Sequence, residues 1–147
     1  MKKILKSILF VFTLLLSCST KTDSSISMEK DYDSYIYLHI KWEEIFKQFE
    51  THYLIYVYSA SCGHCNEIKN EVLCFIDLNI IPVYLIVFEK GIPISNKEES
   101  KIGISSIDEL SIIGTPSLID IEEGIVKNNL GGSNKILDYL KIYSSPS

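Results

Sequence analysis

Apolar residues along this chain change their period several times, and each period predicts an element. Residues 53–59, YLIYVYS, form a nearly unbroken aromatic and β-branched run, the pattern of a strand buried on both faces. Residues 80–89, IIPVYLIVFE, repeat that pattern. Between the two runs, Ile68, Val72, Phe75 and Ile76 recur at the spacing of one helix face. Upstream, Trp42, Ile45, Phe46 and Phe49 predict a short amphipathic helix over 42–49, and residues 35–40, YIYLHI, predict a short strand. Downstream, residues 90–103 are turn-rich and charged, the composition of a surface loop. Residues 105–114 predict a short helix, with Ser106 as its cap and Glu109 three positions on. Residues 117–121 and 125–130 read as a hairpin turning at 122–124. Residues 133–143 read as a final helix with Ile136, Leu137, Leu140 and Tyr143 on its apolar stripe. The order β-α-β-α-β-loop-α-β-β-α is that of an α/β domain, a central mixed sheet with helices on both faces.

The first residues stand outside that pattern. Lys2, Lys3 and Lys6 precede an apolar run over 8–16, which is well short of the roughly 20 residues that span a bilayer core. Residues 1–17 therefore have the form of an export signal. The run ends in LLSC, residues 15–18, which resembles a bacterial lipobox. That resemblance implies that Cys18 carries lipid, becomes the first residue of the mature chain and holds it to the outer face of the cell membrane. Residues 18–34 are Ser-rich and polar, with too little apolar surface to offset the entropy of ordering them, and read as a flexible tether. The folded domain is then 35–147, one unit with one core and, by default, a monomer. All 14 basic residues are lysine, and loss of the three in the leader takes the formal net charge from −5 to −8. Such an acidic domain has no electrostatic footprint for nucleic acid.

The chemistry concentrates at residues 62–65, Cys-Gly-His-Cys, where the central strand hands over to a helix. Unsatisfied backbone N–H groups at a helix start favour a thiolate on Cys62, and His64 adds to that effect when protonated. Cys65, one turn on, is close enough to close a small disulfide and is the less exposed partner. An exposed attacking thiol and a sheltered resolving thiol are what thiol–disulfide exchange requires. A zinc knuckle needs a second ligand pair, which the sequence does not supply, so no metal site is expected. A purely structural Cys62–Cys65 staple would constrain little of the unfolded chain.

With these motifs placed, the chain resembles the thioredoxin superfamily over most of residues 35–143. The resemblance rests on YVYSASCGHC after a strand, GTPS ahead of a hairpin, and the element order. The tetrapeptide is similar to that of eukaryotic disulfide isomerases, as is a Thr before the proline. The resemblance implies a thioredoxin fold and a thiol–disulfide oxidoreductase in which Cys62 attacks, Cys65 resolves and His64 tunes the couple. It also implies a cis Thr115–Pro116 bond packed on the cysteine pair, with Thr115, Pro116 and Gly63 shaping a substrate groove. No bound cofactor is implied, because the disulfide carries the electrons. Partners on this reading are exported proteins with thiols or disulfides, together with a membrane redox partner. His64 favours the reduced thiolate and hence an oxidase or isomerase over a reductase. The rival reading is a non-enzymatic accessory lipoprotein that holds an exported peptide on the same scaffold.

The sequence departs from the family at three points. Ser61 stands where an aromatic usually precedes the first cysteine, Tyr56 where a buried acid lies in many relatives, and Asn70 where a helix proline is usual. Glu67 is a possible replacement proton acceptor, although a solvated helix residue is its default role. Cys74 is expected as a small buried hydrophobe, and His39 and His52 as structural histidines. Tyr53, Tyr56 and Tyr58 are expected to serve strand packing.

Overall fold

The run at 53–59 becomes the middle of a sheet. In the computed structural model, which describes residues 30–95 and 101–144, β1 (His52–Tyr58) runs parallel to β2 (Val83–Val87) and antiparallel to β3 (Ser117–Glu122). β3 in turn pairs antiparallel with β4 (Ile125–Gly131), giving the order β2-β1-β3-β4. The leader, Cys18, the tether up to residue 29 and part of the long loop lie outside the described residues. The β3–β4 hairpin turns through Glu123 and Gly124, at φ 52° and 73°. Two consecutive positive φ values match the right-handed twist of the flanking strands, and Gly124 adopts its value without steric penalty.

Side-chain alternation on β1 sorts the core into two layers. Leu54, Tyr56 and Tyr58 face α1 (Gly63–Glu67), α2 (Lys69–Leu78) and α3 (Ser133–Ser144), and pack with Cys65, Val72, Phe75, Ile136 and Leu140. Tyr53, Ile55 and Val57 face the other layer, with Ile45, Leu110, Ile112 and Ile119. All three α-helices therefore lie on one face of the sheet. The opposite face is closed by a 3-10 helix, Trp42–Lys47, and by the chain around Leu110 and Ile112.

Three sequence expectations change for identifiable reasons. Residues 35–40 are not a strand: Tyr32–Leu38 is a 3-10 helix, followed by a single bridge from His39 to Leu85. Tyr32 and Tyr35, three apart, both bury into the helix-side core while Ile36 and Tyr37 stay exposed, and that period suits a 3-10 turn rather than a strand. The ordered domain accordingly starts ahead of Tyr35, because Tyr32 is already part of its core. Residues 105–114 form turns and not a helix. Leu110 and Ile112 bury two apart, as in extended chain, and the backbone between them is committed outward, with the Asn129 amide donating to the Ser111 carbonyl. The helix after the cysteines is also broken, at buried Ile68 (φ −108°, ψ 7°), without needing a proline at 70.

Candidate active site

β1 delivers the chain to the cysteines through a tight turn, with the Cys62 N–H donating to the Ser59 carbonyl at 3.1 Å. Cys62 is the N-cap of α1, and its sulfur accepts the Cys65 backbone N–H at 3.2 Å. The Cys62 thiol in turn donates to the Thr115 carbonyl at 3.3 Å. Thr115–Pro116 is a cis peptide, so the two motifs 53 residues apart in sequence meet at one sulfur atom. Cys62 is half-buried and Cys65 fully buried, and both are free thiols. Cys74, half-buried on α2, is not one of the free thiols.

The loop between β4 and α3 holds this arrangement from the side. The Gly132 N–H donates to the Pro116 carbonyl at 3.0 Å, and the Ser133 hydroxyl donates to the His64 carbonyl at 3.1 Å. A Cβ on Gly131 would stand 2.8 Å from the Cβ of Ile113, so only glycine lets this loop approach the residues that lead into the cis-proline. A Cβ at Gly63 would meet no heavy atom within 4 Å, which places Gly63 beside open space, one residue after the cysteine that bonds Thr115. Ser133 is legible in the sequence as the start of a helix, but its second task, bonding α1, has no local signature.

The two thiols are electrostatically unlike. Burial pushes the Cys62 thiol up. Hydrogen bonds with the Cys65 thiol and the Thr115 side chain, and the backbone N–H groups of Cys65 and His64, outweigh it and hold Cys62 below the ordinary cysteine value. Burial, reinforced by the hydrogen bond with Cys62, pushes Cys65 up to about 11. The part of His64 that reaches Cys62 is its backbone; its ring is about three-quarters exposed and pairs with Glu67 at 2.9 Å. Glu67 is thus committed to His64 and points into solvent rather than towards Cys65. Among the described residues no group of three or more His, Cys, Asp or Glu side chains is placed to hold a metal ion.

Residues that sequence reasoning assigned to strand packing or to the tether also reach this site. Tyr56 is wholly buried in the same cluster as Cys65, with Cys62 packed against it, and Tyr32 donates to the Tyr56 hydroxyl at 3.4 Å. Tyr32 also stacks on Tyr58 with ring centroids 3.9 Å apart. The one signal for Tyr32 was its spacing of three from Tyr35.

Solved structures share this architecture. Thioredoxin f2 of Chlamydomonas reinhardtii superposes with a TM-score of 0.52 at 16% identity, over 74% of this chain and 97% of its own. The chain has a thioredoxin fold. A thioredoxin from Aeropyrum pernix matches at 22% identity and a TM-score of 0.47, over 71% of this chain and 85% of its own. Spinach chloroplast thioredoxin f, in its short form, matches at 14% identity and 0.48, over 73% and 92%. No protein-family model matches the chain, and no curated protein does. In the thioredoxin fold of this chain the cysteine pair sits where β1 passes into α1, with the cis-proline immediately before the adjacent β3.

Proposed function

We propose that the protein is a thiol–disulfide oxidoreductase acting on exported proteins, tethered outside the cytoplasm by lipid on Cys18. The observation that carries the redox reading is the asymmetry of the pair: a half-buried Cys62 held below the ordinary cysteine value, and a buried Cys65 held well above it. In exchange, the Cys62 thiolate attacks one sulfur of a substrate disulfide and displaces the other as a thiolate. Cys65 then loses its proton and attacks Cys62, forming the intramolecular disulfide and releasing the second substrate thiol. The substrate disulfide is reduced by two electrons and the dithiol oxidised by two; the reverse sequence donates a disulfide. On this reading Thr115, Pro116 and Gly63 shape the groove for the substrate chain beside Cys62.

The direction follows from which form the site favours. Hydrogen bonds that favour the Cys62 thiolate favour the dithiol form, which supports an oxidase or isomerase over a reductase. The test is the reduction potential of the protein, equilibrated in glutathione or dithiothreitol buffers and read by thiol alkylation. A value of about −120 to −180 mV fits a disulfide donor or isomerase, and one of about −270 mV makes the protein a reductase. A pair that exchanges with neither buffer would sink the redox reading and leave the accessory binder in its place. The anchor is tested separately. Fatty-acid labelling of the expressed protein is expected to be lost, with membrane association, in Cys18→Ser. No helix among the described residues is long and apolar enough to cross a membrane.

A further inference from the structure

Resolution of a mixed disulfide needs the Cys65 thiol to ionise in a dry place. Cys65 is wholly buried, and burial opposes its thiolate. The buried carboxylate of the described residues, Asp120, is near the start of β1 and bonded to His52 there, so it does not serve Cys65. The Cys65 sulfur has the Ser59 backbone and the Thr115 side chain as hydrogen-bond partners in the resting pair, and a buried hydroxyl in the same cluster is that of Tyr56. This side chain is 0% exposed, lies in the same cluster and is within electrostatic range of both sulfurs. The titratable groups about it are Tyr32, Tyr58, Cys62 and Cys65.

The hydrogen-bond direction supplies the next step. Tyr32 donates its hydroxyl hydrogen to the Tyr56 oxygen. The Tyr58 hydroxyl is engaged by His39 Nε2 at 2.8 Å, and that ring donates through Nδ1 to the Tyr35 carbonyl at 3.1 Å. Tyr56 is therefore held by a donor on one side while its own hydrogen is left to give. Burial keeps this hydroxyl neutral across the whole working range of pH. A neutral donor stabilises a neighbouring thiolate without placing a second negative charge in the core.

We propose that the Tyr56 hydroxyl, held by Tyr32 and buried against the cysteine pair, is the positioning group for the resolving thiol, donating to the Cys65 sulfur as that thiol ionises. The inference rests on the redox reading above. Cys65 loses its proton, its thiolate attacks the Cys62 sulfur of the mixed disulfide, the Cys62–substrate bond breaks, and the departing substrate thiolate takes up a proton. Tyr56 lowers the cost of the charge on Cys65 and undergoes no net change. His39, Tyr58 and Tyr32 fix the aromatic stack in which it sits.

The test separates the two thiol steps. Reduced protein is mixed with an equimolar amount of a dithiobis-nitrobenzoate, whose released thiolate is coloured. Colour appears once as Cys62 attacks and again as Cys65 resolves, with Cys62→Ser and Cys65→Ser assigning the phases. In Tyr56→Phe the second phase is expected to slow roughly tenfold while the first changes by less than about twofold, the effect of one lost hydrogen bond to a charged group. The deficit closes at alkaline pH, where hydroxide takes the Cys65 proton unaided; a packing defect would slow the phase equally at every pH. Tyr32→Phe, which keeps the Tyr56 hydroxyl but removes its holder, is expected to slow the second phase by about threefold, less than loss of the hydroxyl itself. A second phase in folded Tyr56→Phe within about twofold of the parent would overturn the inference while leaving the redox reading intact. If Tyr56→Phe does not fold, an unchanged second phase in Tyr32→Phe overturns it. A parent protein that shows no colour release overturns both.

Discussion

His52 and Tyr58 stand at opposite ends of β1 on the same face of the sheet, and each end carries a buried polar cluster. At the start of the strand, His52 donates to Asp120 Oδ1 at 2.9 Å, while Asn128 and Tyr139 donate to Oδ2 at 3.0 and 2.6 Å. Tyr143 completes the set by bonding the Tyr139 hydroxyl at 3.1 Å. A charge only 4% exposed is thereby met by three donors. At the far end the buried groups are neutral tyrosines, and the Cys62 sulfur beside them meets only neutral partners: the Thr115 carbonyl and side chain, the Cys65 thiol and the backbone N–H groups of Cys65 and His64. The first cluster is saturated and has nothing left to offer a substrate. The second leaves a half-buried sulfur whose ionisation the surroundings favour. Saturation marks the structural end and incompleteness the reactive one.

The largest expected effect removes the reactive end outright. Cys62→Ser is expected to abolish disulfide exchange, and Cys65→Ser to keep the attack but stall as a mixed disulfide, visible as a mass adduct that a reductant removes. Equal activity in the two variants would erase the distinction between attacker and resolver. At the other end the effect is on stability. Asp120→Ala leaves three donors without their acceptor and is expected to cost about 3 kcal/mol, read as a fall in the denaturation midpoint. The reduction potential should stay where it was. A shift in potential without loss of stability would mean that the two ends are coupled and the contrast between them is false.

A pH series sharpens the comparison within the pair. Cys62 lies below the ordinary cysteine value, so its thiolate contributes stability to the reduced fold above that ordinary value. That contribution is lost as pH falls through its own lowered midpoint. Cys65, raised to about 11, works the other way: its protonated form is favoured, and its contribution is intact below the ordinary value and lost as pH climbs through about 11. Alkylation followed by mass spectrometry is therefore expected to modify Cys62 first at neutral pH, with Cys65 reacting only in alkali. Parallel titration of both thiols would contradict the geometry.

Much of the reactive end was legible in the sequence, because its information is local. A strand run and Cys-Gly-His-Cys are enough to place Cys62 and Cys65 at a strand-to-helix handover, and the resemblance to the thioredoxin superfamily that these motifs carry with a later Thr-Pro implies the cis bond found at Thr115–Pro116. The saturated end was not legible. His52 and Asp120 are 68 residues apart and meet only through the β1–β3 register, which opposes Leu54 to Asp120 and so brings Asp120 beside His52 on the same face. Tyr32 was lost to the polar composition around it, since burial of one aromatic every third residue leaves no strong period. The misplaced helix at 105–114 has the same origin: a good local cap at Ser106 was overridden by burial of Leu110 and Ile112 in an extended stretch.

The smallest expected effect concerns the residue that the tetrapeptide makes most conspicuous. The His64 ring is about three-quarters exposed, and its partner Glu67 more than half exposed, so their ion pair works in high dielectric and under salt screening. Such pairs contribute about 0.5 kcal/mol or less, equivalent to about 10 mV for a two-electron couple. Glu67→Gln is expected to move the reduction potential by no more than about that amount. The backbone N–H of His64, which reaches Cys62, is present in any variant. His64→Ala should therefore leave most of the lowering of Cys62 in place. A large change of potential in His64→Ala, abolished at high salt, would return the ring to the thiolate and show that the exposed pairing with Glu67 is not its working position.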